Sequence, residues 1–140
     1  MYFLFSEIPV FHPAEECFVF ARCPVSGGEH AQHLADHAAD QVLRDRPNVV
    51  RVFITAQLED RVRTVSEEQH LRMANARKKV EEIDRHRANY YGELDGKVWG
   101  QADNYDVCLN ISAIDEAGAV YMIEKAVEGK LIQMDLKAAQ

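Results

Sequence analysis

Residues Val49 to Thr55 read Val-Val-Arg-Val-Phe-Ile-Thr, a nearly unbroken β-branched run without the alternation of a strand that keeps one face wet. Such a run needs cover on both faces, which is what helices give a parallel sheet. Parallel neighbours in turn need crossover connections, and the chain supplies them. Two helical stretches follow, Leu58 to about Glu68 and about Leu71 to Tyr91, the second rich in charge and anchored by Val80 and Ile83. Gly92 and Gly96 bracket a loop that includes Trp99-Gly100, and Tyr105 to Asn110 reads as a second buried strand through Val107, Cys108 and Leu109. A final helix opens at Asp115, carries Ala119, Val120, Ile123, Ala126 and Val127 at helical spacing, and is expected to stop at Gly129. The tail 131–140 is expected to fray.

Upstream, Cys17 to Arg22 reads as a short strand built on Phe18, Val19 and Phe20, stopped by Pro24 and the Ser26-Gly27-Gly28 turn. From Glu29 to about Arg44, the recurrence of Ala31, Leu34, Ala35, Ala38, Val42 and Leu43 predicts a helix, ended by Pro47. The resulting order of strands and helices predicts the α/β class, a parallel sheet flanked by helices. With 140 residues, 47% of them hydrophobic and 28% charged, the chain has room for one core and one domain over 1–140.

A formal charge of −7 argues against nucleic acid as a partner, because polyanions are held by excess Lys and Arg. The basic residues gather in the middle, at Arg44, Arg46, Arg51, Arg61, Arg63 and from Arg77 to Arg87, where a local phosphate site could form. Three cysteines, Cys17, Cys23 and Cys108, match no zinc spacing and too few pairs for a disulfide scaffold, so a reducing, cytoplasmic location is expected. The apolar start Met1 to Phe5 soon meets Glu7, Pro9 and His12 and reads as neither a signal peptide nor a membrane span.

The densest chemistry lies in Glu81-Glu82-Ile83-Asp84-Arg85-His86-Arg87-Ala88-Asn89-Tyr90-Tyr91. Arg85 and Arg87, two residues apart, cannot share one helix face; if the helix end frays, both could converge on phosphate, which guanidinium binds bidentately. The alternative is a solvated surface in which Asp84 pairs with its neighbours. His30, His33 and His37 would share one side of a helix and could ligate a transition metal, or form no more than its polar face. Tyr90, Tyr91 and Trp99 could stack on a base or pack a helix end. Cys108 is expected to be inert.

The blocks Arg46-Pro-Asn-Val-Val-Arg-Val-Phe-Ile-Thr-Ala, Leu58-Glu-Asp-Arg-Val-Arg, Asp84-Arg-His-Arg-Ala-Asn-Tyr-Tyr and Trp99-Gly-Gln-Ala-Asp-Asn-Tyr-Asp-Val-Cys-Leu-Asn resemble the cytidylate kinase-like family in order and approximate spacing, over about 80 residues. The resemblance implies an incomplete three-layer P-loop kinase fold and phosphoryl transfer from ATP to a nucleoside monophosphate, usually CMP, with Mg²⁺ between the phosphates. It implies that Arg85 and Arg87 are lid arginines, that Asp84 orients them or a substrate group, and that Arg61, with Arg63 as a weaker candidate, reaches the nucleotide. Cys17-Phe-Val-Phe-Ala-Arg-Cys resembles the family's acceptor-side strand, making Arg22 a substrate-binding arginine, Ala21 the replacement of a glycine, and 24–38 an insertion. A rival alignment makes Phe18 to Ala38 an eroded P-loop unit, in which Glu29 stands where the loop wants a cation. On either alignment the donor cradle is incomplete. That leaves as the alternative a catalytically inactive nucleotide-binding or assembly fragment, whose open sheet edge a second copy or another chain would cover.

Overall fold

A computed structural model describes residues 17–25, 28–34, 45 and 49–139. Its sheet has four strands in the order β2-β1-β3-β4: β1 (Cys17–Val25), β2 (Gly28–Leu34), β3 (Val49–Thr55) and β4 (Val107–Asn110). β3 and β4 are parallel, with Val52 opposite Val107 and Ile54 opposite Leu109. The crossover between them holds α1 (Leu58–Glu68), α2 (Met73–Asp95) and a 3₁₀ turn, Ala102–Asn104; α3 (Glu116–Ala138) follows β4. The class is α/β.

β3 is covered on both sides, as its composition demands. Val50, Val52 and Ile54 join Leu109 and, from α3, Ala119 and Ile123 in one buried cluster. On the other face Phe53 stacks on Tyr105 with ring centroids 4.8 Å apart and meets Trp99 edge-on at 5.6 Å. Gly100 is close enough that a Cβ there would lie 3.1 Å from Phe53 Cζ, and its φ of 77° suits glycine alone. β4 is less enclosed than expected: of its four residues only Leu109 is buried, and Cys108 is exposed. The reason is position, since among the described residues β4 has a neighbouring strand on one side only.

α1 and α2 form an antiparallel hairpin closed by Val62 and Val65 against Ala76 and Val80. α2 continues past Gly92 and stops at Gly96, whose left-handed φ of 68° lets its N–H donate to the Gly92 carbonyl at 2.8 Å. α3 starts where the sequence reading put it, with the Asp115 carboxylate accepting from the Gly118 N–H at 2.7 Å. It does not stop at Gly129 but runs to Ala138. A mid-helix glycine costs about 1 kcal/mol, and the Lys130-Leu-Ile-Gln-Met-Asp-Leu-Lys run beyond it consists mostly of good helix formers.

The expected helix from Glu29 is corrected over its first turns: Gly28–Leu34 is a strand, antiparallel to β1, with Val25 opposite Gly28 and Val19 opposite Leu34. Residues 35–44 lie outside the described ones. β1 also does not stop at Pro24 but runs one residue beyond it, to Val25. Pairing with β3 covers only Cys17 to Ala21, so among the described residues Pro24 is paired on the β2 side alone, a position where a missing N–H is tolerated. β1 runs antiparallel to β3, so the sheet is mixed, with its parallel pair at β3–β4. Among the described residues no helix is long and apolar enough to cross a membrane.

Candidate functional site

In open α/β sheets, ligands bind beyond the carboxyl ends of the parallel strands. At that end of this sheet the loops are tied together: the Gln57 N–H donates to Ser112 Oγ at 2.8 Å, the Ser112 N–H donates to Asn110 Oδ1 at 3.0 Å, and the Ile111 N–H donates to the Thr55 carbonyl at 2.9 Å. These bonds anchor the start of α1, and with it Arg61, one turn inside the helix.

Arg61 makes a two-pronged ion pair with Asp84 of α2: Nη1 donates to Oδ1 and Nη2 to Oδ2, each at 2.8 Å. The side chains are 12% and 25% exposed. This is the parallel fork geometry in which guanidinium meets carboxylate or phosphate. A second cross-hairpin pair, Arg77 with Glu59, and a hydrogen bond from Ser66 Oγ to the Leu71 carbonyl at 2.7 Å hold the two helices together independently. The Glu59 carboxylate beside Arg77 raises its guanidinium pKa further above an already high value.

Arg85 and Arg87 occupy different sides of α2. The helix is continuous through both, Arg85 is exposed, and Arg87 is buried at 7% exposure. Fraying that would bring both together at a helix end is therefore not what this structure contains. Arg63 points outward, 63% exposed, and pairs with Asp60 at 3.5 Å. Arg22 stands in β1 opposite Ala31, one residue beyond the pair Ala21–Val49 at the amino end of β3. At about 3.3 Å per residue, some 20 Å of β3 separates that position from the end where α1 begins. The fold thus gathers Arg61, Asp84 and Arg85 on one hairpin and leaves Arg22 at the opposite end of the sheet.

Of the aromatic candidates, Tyr91 is fully buried and faces Tyr105 at 6.5 Å, and Trp99 packs on Phe53; Tyr90 is 48% exposed. His30 and His33 lie in a strand, where positions three apart fall on opposite faces, so the helical register that would have grouped them is lost there; His37 is outside the described residues. The glycines of the rival alignment lead at Gly28 into that same strand and not into a helix N-terminus. Among the described residues no three His, Cys, Asp or Glu side chains come together as a metal site.

The sequence reading missed the tie between Arg51 and Asp106. The Arg51 backbone N–H donates to Asp106 Oδ2 at 2.8 Å, and its Nη2 donates to Oδ1 at 3.0 Å. Burial alone would raise the Asp106 carboxyl, but the Arg51 hydrogen bonds and the charges of Arg51 and Lys130 hold it below the usual carboxylate range. Fifty-five residues separate the partners; the only sequence signal is a lone charge inside an otherwise apolar strand, which has to find a counter-ion. Although Cys108 is exposed, the desolvation its thiol meets beside the sheet pushes its pKa up, so it is protonated and weakly nucleophilic at neutral pH.

A model of the cytidylate kinase-like family matches residues 34–113, which take in β3, α1, α2 and β4. The chain is also similar to the crystal structure of an uncharacterized protein from Eubacterium ventriosum, at 26% identity and a TM-score of 0.63, over 66% of this chain and 51% of that one. It spans about half the length of that relative. No curated protein matches it.

Proposed function

Because the chain belongs to the cytidylate kinase-like family, we propose that it serves phosphoryl transfer between nucleotides, holding a nucleoside monophosphate such as CMP to receive a phosphoryl group from ATP. The observation that supports this reading is the α1–α2 hairpin, which carries Arg61 one turn into the helix that follows the carboxyl end of β3 and brings Asp84 of α2 onto it. Phosphoryl transfer asks a protein mainly for positioning and charge neutralisation. Two guanidinium groups, permanently charged and planar, suit the equatorial oxygens of a phosphate. Magnesium belongs to this scheme as part of the ATP substrate, bound to its phosphate oxygens and neutralising their charge.

In this proposal Arg61 holds the acceptor phosphate, Asp84 keeps Arg61 in place before the nucleotide arrives, and the exposed Arg85 closes on the phosphates as a lid arginine. Arg87 is buried and is assigned no contact with the phosphate. Calorimetric titration with CMP and with ATP·Mg²⁺, followed by a coupled assay of ADP release, tests the scheme. The expected outcome is CMP binding weakened about tenfold or more by Arg61→Ala, and ADP release lost in Arg85→Ala. Absence of CMP binding by the wild-type chain would overturn it.

One observation favours a second reading, nucleotide binding without turnover. Arg85 and Arg87 lie on different sides of an unbroken helix, so the two do not close together on one phosphate as a lid would. CMP binding that Arg61→Ala weakens, with no ADP released by the wild type, is the result that reading expects.

A further inference from the structure

The Arg61–Asp84 pair has the geometry of an occupied phosphate site. Both terminal nitrogens of Arg61 are taken, each at 2.8 Å, by the two oxygens of a single carboxylate. A phosphate presents the same two-oxygen edge to a guanidinium fork. We infer that Asp84 is an internal stand-in for the nucleotide phosphate: in the nucleotide-free protein it fills the positions on Arg61 that a phosphate takes on binding, so that anion and carboxylate exchange on one arginine. The inference deepens the proposed function and rests on its reading of Arg61.

Three features make the exchange physically accessible. Asp84 is a quarter exposed and Arg61 an eighth, so the pair lies at the rim of the hairpin, within reach of an anion from solvent. A phosphate replaces the carboxylate's two hydrogen bonds to Arg61 like for like, and Asp84, a quarter exposed, regains hydration when it is displaced. The hairpin does not depend on the pair for its integrity, because the Val62, Val65, Ala76 and Val80 cluster and the Arg77–Glu59 pair tie α1 to α2 elsewhere. Arg85, the next residue in the chain, is exposed; it adds positive charge to this stretch of α2 without sharing the fork of Arg61. Asp84 thereby sets a threshold: it keeps Arg61 pre-positioned, and only an anion that binds the fork better than the carboxylate displaces it.

Asp84→Asn keeps the shape of the side chain and removes its charge. Titration of the full chain with CMP and with inorganic phosphate, at constant ionic strength, should show about tenfold tighter binding in Asp84→Asn than in wild type. The gain should vanish in Asp84→Asn combined with Arg61→Ala. If Asp84→Asn binds equally or more weakly while wild type binds CMP, Asp84 supports the site instead of competing for it; the inference is overturned and the reading of Arg61 stands. If wild type, Asp84→Asn and Arg61→Ala all fail to bind either probe, the reading of Arg61 falls and the inference with it. Should Asp84→Asn prove unfolded by circular dichroism, the Arg61 side-chain NMR signal of the wild type decides. A shift on saturation with CMP supports the exchange, and an unmoved signal overturns it.

Discussion

Arg51 and Asp106 show what a single charged pair does in this molecule. Arg51 interrupts the apolar run of β3, and Asp106, just ahead of β4, meets both its backbone N–H and its guanidinium, so the pair sets the parallel register from one end. Its carboxyl is held below the ordinary range. A depressed carboxylate contributes stability that is fully present above its unfolded pKa, about 3.9, and that is lost as pH falls through the lower folded value. Asp106→Asn is expected to cost about 1 kcal/mol at pH 7, a figure reduced for solvent screening. The wild type and the variant should then converge in melting temperature below about pH 4, which thermal unfolding at pH 7 and pH 3 would check. At this scale Arg61, Asp84 and Arg85 could be named from sequence because of residue type and motif. Their pairing could not, since 23 residues and a helix hairpin separate Arg61 from Asp84.

Helices were more legible than hairpins. α1 begins and ends where periodicity put it, and α3 begins at Asp115 because an acidic side chain there can accept from the orphan N–H of Gly118. Asp115→Ala should therefore cost about 1 kcal/mol in denaturant unfolding, with the rest of α3 keeping its helical circular dichroism. The β1–β2 hairpin was read as strand and helix for a physical reason. Ala31 and Leu34 satisfy a helical recurrence as well as a strand, and the deciding influence is an unfilled edge on β1, which no local window contains. α3 was read too short for a related reason: glycine's cost is local, and the helix-forming residues beyond it outweigh that cost.

The whole molecule is organised about β3, which touches one cluster on each face and a strand on each edge. Val52, with no exposed surface, lies opposite Phe18 of β1 and Val107 of β4. Val52→Ala should accordingly destabilise the entire fold in one step, by about 2–3 kcal/mol, visible as coincident loss of far-UV ellipticity and of the near-UV signal of the Trp99 cluster. By itself the sequence determined the α/β class, the central strand, the helices after it, the family and the arginines worth testing. Those follow from local periodicity, residue type and motif order. Only the tertiary structure decided that Gly28–Leu34 is a strand, that α2 stays helical through Arg85 and Arg87, that Arg22 stands at the far end of the sheet, and that Asp84 holds Arg61. Each of these depends on which segments become neighbours, and that is set by packing across the whole chain.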